Sequence, residues 1–201
     1  LLTRLYDPSE GRILLDGKDL RDYDLSQLRH AVGVIFQDFV RYHLNASENI
    51  AVGRIEALDD HQRIVEAARR SLAERVIERL PDGYQQRIGR WFRQGTNLSG
   101  GEWQKIALAR AYMRDAELLI LDEPTAALDA RAEHQIFSRF VELTEGKGAV
   151  LISHRFSTVR MADRILVLHE GSLLEDGSHD ELLKKGGHYA ELFSLQASGY
   201  R

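Results

Sequence analysis

The sequence predicts an α/β fold with a parallel sheet. Short apolar runs such as 118–121 (LLIL) and 149–152 (AVLI) alternate along the chain with longer segments that have helical spacing. These runs are too short for helices and lack polar alternation, which is typical of parallel strands buried on both faces. Strands and helices that alternate in this way form a parallel sheet covered by helices.

Composition limits the classes of protein that fit. The chain has 201 residues, 43% apolar and 29% charged, with no cysteine and a net charge of −4. We expect one globular domain, because no repeat or linker-like stretch divides the chain. The charge argues against a strongly basic nucleic-acid binder, and the lack of cysteine excludes disulfide scaffolds and thiolate zinc sites. No apolar run approaches the ~18 residues of a membrane helix. Since residue 1 is leucine rather than methionine, we expect a piece of a longer protein.

The first half of the chain contains two predicted strands and a long helical region. Residues 12–17 (RILLDG) predict a short strand that ends in an Asp-Gly turn, and residues 31–36 (AVGVIF) predict a buried strand. Apolar residues then recur at helical spacing from Glu56 to Leu80, where a Pro-Asp-Gly sequence follows and stops the pattern.

The second half of the chain alternates between helices and strands and ends in a hairpin. The predicted elements are a helix at about 101–113, a strand at 117–121, a helix at 129–143, a strand at 149–152, and a hairpin of 164–168 with 172–175. The hairpin is joined around Glu170 and Gly171, and we expect it at the edge of the sheet.

Two consecutive carboxylates, Asp122 and Glu123, follow the apolar strand 118–121. Ligand sites of open α/β sheets lie at such strand ends. Successive strand residues point to opposite faces, so the two side chains need a bend after Asp122, which Pro124 and Thr125 supply. One carboxylate can then hold Mg²⁺ while the other polarises a water, as phosphoryl transfer requires. The alternative is a strand end with two solvated acids.

A second motif, residues 98–102 (LSGGE), directly precedes the helix at 101–113. Ser99 and Glu102 have the spacing of a capping box, which explains the motif without any ligand. The functional alternative is that Gly100 and Gly101 let backbone N–H groups approach an anion at a helix N-terminus.

Two further polar residues follow predicted strands. The Gln37 amide comes just after 31–36 and can ligate Mg²⁺ or orient a water, although such a residue is usually only solvated. His154 follows 149–152 and can donate a hydrogen bond to a phosphate. The other histidines lack metal-ligand spacing, so each is as well explained by packing or exposure.

These four elements, in this order, resemble the nucleotide-binding domain of ATP-binding cassette (ABC) proteins over essentially all 201 residues. Gln37 matches the Q-loop, 98–102 the signature motif, 118–123 the Walker B strand with its catalytic glutamate, and His154 the switch histidine. The resemblance implies ATP and Mg²⁺ as cofactors. It implies that Asp122 and Gln37 bind the metal, and that Gln37 also belongs to the shell of the hydrolytic water. It implies that Glu123 is the general base and that His154 contacts the γ-phosphate, so that Glu123, His154 and Gln37 are the catalytic residues.

The resemblance also implies a partner domain. ABC domains pair head to tail, so that Ser99, Gly100 and Gly101 touch ATP bound by the opposite domain. Glu102 belongs to the same predicted cofactor-binding segment, although the family more often has glutamine there. Asp129, in the sequence AALD, matches the D-loop at the contact between the two domains.

The implied architecture is a P-loop NTPase (RecA-like) parallel-sheet core with a helical subdomain and an antiparallel edge hairpin. The core comprises 1–37 and 98–201, and the helical subdomain 38–97. With this resemblance, exporter-like sequences such as 178–183 (SHDELL) imply transmembrane domains fused upstream and a location at the cytoplasmic face of the plasma or inner membrane. We expect no nucleic-acid partner, because glutamates are interspersed with the arginines of the helical stretch, which favours a solvated or partner-facing surface.

The chain departs from the family in one major respect, since it nowhere contains the phosphate-binding pattern G-x-x-x-x-G-K-[ST]. We expect that loop upstream of Leu1, and we expect the 201 residues alone to bind Mg-ATP weakly and to be inactive. The leading hypothesis is an ATPase domain that powers export. The alternatives are a soluble ABC ATPase acting on nucleic acid or ribosomes, and a catalytically silent regulatory ABC domain.

Overall fold

The computed structural model describes residues 1–89, 95–124 and 130–199. The strands are β1 (Leu14–Leu15), β2 (Lys18–Asp19), β3 (Val32–Ile35), β4 (Leu118–Asp122), β5 (Gly148–Ile152), β6 (Ile165–His169) and β7 (Ser172–Gly177). The helices are α1 (Leu25–Ala31), α2 (Ala46–Ala51), α3 (His61–Arg70), α4 (Glu74–Ile77), α5 (Gly100–Met113), α6 (Ala130–Thr144), α7 (Phe156–Val159), α8 (His179–Lys185) and α9 (His188–Gly199). Short 3₁₀ turns occupy Leu20–Asp22, Ile55–Ala57 and Gly83–Gln85.

The chain folds into two compact units, Leu1–Val150 and Leu151–Arg201. Over the described ranges, no helix combines the length and the apolar character that crossing a membrane requires. The predicted division into a core and a helical subdomain at 38–97 stays a prediction.

A parallel pair of strands carries the predicted carboxylates. β3 and β4 are parallel, with Val32 opposite Leu118 and Ile35 opposite Leu121. β3 and β4 are short and apolar, and the order of strands in their sheet is β3-β4-β5. The predicted parallel sheet is therefore confirmed, and both strands end at the same edge.

A tight turn joins β1 and β2. Asp16 and Gly17 both have positive φ, 51° and 78°, as the type I′ turn of a two-residue hairpin requires. The predicted Asp-Gly turn is confirmed, and it leads back into a second short strand.

The helical region is broken where the sequence predicted continuity from Glu56 to Leu80. α3 ends at Arg70, and Leu72 takes a positive φ of 64° before α4 begins. Ser71 explains the break, because its buried hydroxyl donates to the Ala68 carbonyl and accepts from the Ala73 N–H. These local bonds compete with the helical ladder.

α5 is the central helix of the first unit. Its buried side chains occupy every face: Trp103, Gln104, Ile106, Ala107, Leu108, Ala109, Ala111, Tyr112 and Met113. A helix that is apolar all round lies inside a domain, and here α2, α3 and β3 pack against α5. The motif at its N-terminus is thereby attached to the most buried element of the unit.

The second unit contains the predicted hairpin and the last helices. β6 and β7 pair antiparallel from Ile165 opposite Gly177 to His169 opposite Ser172, which confirms the hairpin. In the described residues these two strands form a two-stranded sheet of their own and are not hydrogen-bonded to the β3-β4-β5 sheet, at whose edge the hairpin was predicted. Ile165, Leu182 and Tyr189 form the core of this unit.

Candidate functional site

A cavity of about 630 Å³ lies between the carboxyl ends of β3 and β4 and the beginning of α5. Three residues singled out in the sequence line it, namely Gln37, Gly100 and Glu123. Three elements that are far apart in the sequence thus contribute to one space. This is the edge of the sheet where an α/β fold binds its ligands.

The register of the parallel strands explains why Gln37 and Glu123 meet. Ile35 and Leu121 are the last paired residues of β3 and β4, and each of the two polar residues lies two positions after the last paired residue of its strand. Gln37 is exposed and Glu123 is half-buried. An amide and a carboxylate are therefore present at the same edge of the sheet and line the same cavity.

Glu123 itself makes the bend that the sequence predicted after Asp122. β4 ends at Asp122, and Glu123 has a φ of 44°, a left-handed conformation that is uncommon for a residue with a side chain. The sequence predicts the bend at Pro124 and Thr125, whereas in the structure it begins one residue earlier, at Glu123. Thr125 lies outside the described residues.

The predicted Mg²⁺ ligands Asp122 and Gln37 are both of a type that offers oxygen donors. Asp122 is half-buried at the end of β4 and, unlike Gln37, is not among the residues that line the cavity. Mg²⁺ prefers oxygen ligands and is commonly held by one or two carboxylates, with waters and substrate phosphates completing its shell. No cluster of three or more His, Cys, Asp or Glu that could bind a metal occurs among the described residues.

The LSGGE motif forms the capping box that its spacing predicted. The Ser99 hydroxyl accepts from the Glu102 N–H at 3.4 Å, and Glu102 Oε2 accepts from the Ser99 N–H at 2.8 Å. The cap does not explain Gly100, because a Cβ built there would have no atom within 4 Å. Steric packing therefore does not require a glycine at position 100, and the open space beside it belongs to the cavity.

The unusual carboxylate of the motif is paired with an arginine. Arg79 Nη2 donates to Glu102 Oε1 at 2.8 Å. Partial burial opposes ionisation of Glu102, but hydrogen bonds from Ser99 and the charge of Arg79 outweigh it and lower the pKa of this carboxyl. A glutamate in place of the glutamine more common in the family adds a negative charge to this predicted cofactor-binding segment, and the ion pair with Arg79 offsets that charge.

A buried network fixes the chain that follows Gln37. Arg110 on α5 donates to the Val40 carbonyl at 2.6 Å and to the Asn49 carbonyl and side-chain oxygen, both at 2.8 Å. Asn49 is fully buried and donates in turn to the Tyr42 carbonyl. Burial lowers the pKa of Arg110 to about 10, so this arginine stays charged at neutral pH. α5 thereby anchors the segment behind Gln37.

The remaining predicted residues lie elsewhere in the chain. His154 is exposed, two residues after β5, and belongs to the second unit. Ser99 is exposed, and Gly101 and Glu102 are half-buried at the start of α5. Asp129 lies outside the described residues.

Sequence reasoning missed Gln104, Arg79 and Arg110. Gln104 is only 6% exposed and lines the cavity, one turn after Gly100 on the same helix. That spacing was a usable signal for Gln104. The partners of Arg79 and Arg110 are 23 and 61 residues away, so no local pattern could reveal them.

Comparison with known proteins places this geometry in a family. The sequence model of the ABC transporter family matches residues 1–126. An ATP-dependent lipid A-core flippase of Legionella pneumophila (strain Paris) is 41% identical over 199 residues, 99% of this chain and 33% of the flippase. A mitochondrial potassium channel ATP-binding subunit of Pongo abelii is 45% identical over 198 residues, 98% of this chain and 27% of that subunit.

A solved structure agrees with the sequence relatives. The structure of a bacterial Atm1-family ABC exporter with ATP bound superimposes with a TM-score of 0.88 at 41% identity, over 98% of this chain and 33% of that one. The chain belongs to the ABC transporter family and has its P-loop NTPase fold. It spans about a third of the length of the relatives it matches.

Proposed function

We propose that this chain is the nucleotide-binding domain of an ABC exporter, which binds and hydrolyses ATP to power transport across a membrane. The observation that carries the proposal is the convergence of Gln37, Gly100 and Glu123 on one cavity in a chain of this family. A strand-end amide and a strand-end carboxylate suit a polyphosphate and the water that attacks it. The glycine-led helix N-terminus beside them offers backbone N–H groups to a second polyphosphate.

Each residue has a distinct proposed role in hydrolysis. Glu123 accepts the proton of the attacking water, and the neighbouring Gln37 amide orients that water. Asp122 and Gln37 hold Mg²⁺, which when bound neutralises charge on the phosphates. His154 donates a hydrogen bond to the γ-phosphate.

The signature residues act on a second nucleotide. In the proposed head-to-tail pair of domains, Ser99, Gly100 and Gly101 contact ATP held by the opposite domain, with Glu102 as the cap behind them. Support comes from the open space at Gly100 and from the positive end of the α5 dipole. Asp129 is proposed to lie at the contact between the two domains.

The proposed context is a transporter with membrane spans in the same polypeptide. The relatives named above are three to four times longer than this chain, and segment 38–97 is proposed as the helical subdomain that couples to those spans at the cytoplasmic face of the membrane. Their names include a lipid A-core flippase and a potassium channel subunit. We therefore assign ATP hydrolysis to this domain and cargo selection to the rest of the protein.

The test uses the full-length polypeptide with Glu123→Gln. ATP binding and ATP-dependent pairing of the domains should persist, while the hydrolysis rate falls at least about 100-fold because the general base is lost. Glu117→Gln is the matched control, since it removes an exposed carboxylate just before the other end of β4. Equal turnover in the two variants would remove Glu123 from the role of base. An unmodified protein that neither binds nor hydrolyses Mg-ATP would overturn the proposed function.

A further inference from the structure

The backbone around His154 is held by one side chain from the C-terminal helix. Gln196 on α9 donates from Nε2 to the His154 carbonyl at 3.3 Å. Its Oε1 accepts from the Phe156 N–H at 3.0 Å. A single amide therefore binds the chain on both sides of the Arg155 residue that separates these two contacts.

The bond to Phe156 fills a gap in the local structure. Phe156 begins the short helix α7, and the N-cap residue Arg155 makes no side-chain capping bond. The first N–H groups of a helix lack partners within it. Gln196 supplies one from 40 residues further along the chain, so the end of the His154 turn depends on where α9 lies.

Aromatic packing determines where α9 lies. The Phe156 ring meets the rings of Tyr189 and Phe193 edge to face, with centroids 5.2 and 5.4 Å apart. The ring of His179 on α8 contacts the same two rings, and its Nδ1 lies 2.9 Å from the Tyr189 hydroxyl. These contacts hold α9 against the turn, so that the amide of Gln196 meets both of its partners.

We propose that Gln196 is a positioning residue for His154, which orients the histidine by fixing the peptide groups that follow its Cα. The inference rests on the proposed function, because it takes His154 to contact the γ-phosphate. Gln196 is half-buried and bonded at both ends of its amide, whereas the His154 side chain is exposed. A catalytic group on an exposed turn needs such support, since small displacements reduce the rate strongly.

The test replaces Gln196 with methionine, which has a similar length and no hydrogen bond, in the full-length protein. We expect kcat for Mg-ATP hydrolysis to fall about fivefold while KM changes less than twofold, because the ground-state contacts of ATP remain. Ser194→Ala on the same helix is the control, since Ser194 is exposed and its hydroxyl donates to the Ala190 carbonyl within its own helix. A kcat for Gln196→Met equal to that of Ser194→Ala would overturn the inference.

A second background separates positioning from general support of the fold. In His154→Ala there is no imidazole to orient, so adding Gln196→Met should lower kcat no further. A further fivefold loss in that background would mean that Gln196 acts on something other than His154, and the inference would be wrong. An unmodified protein without ATPase activity would instead overturn the proposed function.

Gln196→Glu covers the case in which methionine prevents folding. A carboxylate still accepts from the Phe156 N–H but cannot donate to the His154 carbonyl, so the start of α7 keeps its partner. We expect the melting temperature to stay within about 2 °C of the unmodified protein and kcat to fall as for methionine. Full activity of Gln196→Glu would contradict the role of the bond to His154.

Discussion

Arg79 and Glu102 form an ion pair of 2.8 Å between the residues that follow α4 and the first turn of α5. Arg79 also donates from Nε to the Arg75 carbonyl at 2.9 Å, which fixes its guanidinium on one side. Glu102 uses its other oxygen for the Ser99 N–H and hydroxyl. The capping box and a residue of the helical region are thus joined through one carboxylate.

Removing the arginine should expose phosphates to an unpaired negative charge. We expect Arg79→Met to raise KM for Mg-ATP about fivefold in the full-length protein, because carboxylate and phosphate repel across a partly exposed site. Raising the salt concentration from 50 to about 500 mM should reduce the effect by screening. Steady-state hydrolysis at the two salt concentrations measures both quantities.

Two variants test whether this effect is electrostatic. Arg75→Met removes an exposed arginine one turn away on α4 and should leave KM within twofold. In a Glu102→Gln background the cap persists without its charge, so Arg79→Met should then change KM little. An equal rise in KM in both backgrounds would show that Arg79 acts by packing.

The unfolding free energy of the domain should fall at low pH as Glu102 becomes protonated. Its pKa lies below the ordinary value of 4.5, so the stabilising effect of the carboxylate is complete above about pH 4.5. It is lost as the pH falls through the lowered pKa of the folded state. The difference in unfolding free energy between the unmodified chain and Glu102→Gln should therefore shrink between pH 5 and pH 3. A constant difference over that range would contradict the pairing.

Arg110 should matter for folding more than any exposed arginine. Arg110→Met leaves the Asn49 and Val40 oxygens without their donor, and we expect the unfolding free energy to fall by about 2–4 kcal/mol. Arg110→Lys should lose less, because it keeps the charge but cannot reach all three oxygens. Urea unfolding followed by tryptophan fluorescence, to which the buried Trp103 contributes, gives the values. Lys105→Met, also on α5, is the control, and an equal loss there would contradict the prediction.

Two glycine substitutions should have opposite consequences. A Cβ at Gly53 would clash with the Arg110 carbonyl oxygen, so Gly53→Ala should lower the unfolding free energy by about 1–3 kcal/mol. Gly100→Ala meets open space and adds a better helix former, so stability should be unchanged or rise by up to about 1 kcal/mol. Its ATPase activity should nevertheless fall, since the methyl group occupies the cavity wall. Unchanged ATPase activity in Gly100→Ala would favour capping as the whole role of the motif.

Local patterns in the sequence predicted most of the secondary structure. The strands at β3 and β4 and the helix α5 are marked by apolar runs and a capping box, which depend on neighbouring residues only. The break between α3 and α4 was not predicted, because the hydroxyl of Ser71 bonds within its own turn and leaves the apolar spacing intact. The residues around it continue the helical pattern, so periodicity alone could not detect the break.

The sequence identified the residues that line the candidate site better than the residues that hold its backbone in place. Gln37, Gly100 and Glu123 were found because each directly follows or begins an element with a clear pattern. Arg110 and Gln196 act through backbone groups about 60 and 40 residues away. Such contacts depend on tertiary packing. Because every residue has a backbone carbonyl, the sequence does not show which carbonyl accepts the bond.

The left-handed backbone conformation of Glu123 is unfavourable for a residue with a side chain, while its carboxylate is the proposed general base. Stability and proposed activity therefore favour different residues at this position. Glycine would adopt this conformation without the steric penalty of a Cβ, so Glu123→Gly should make the fold harder to unfold while removing the proposed base. An effort to engineer a more heat-resistant form of this domain, guided by backbone geometry alone, would select position 123 among its first changes. The result would be a more stable protein without its proposed general base.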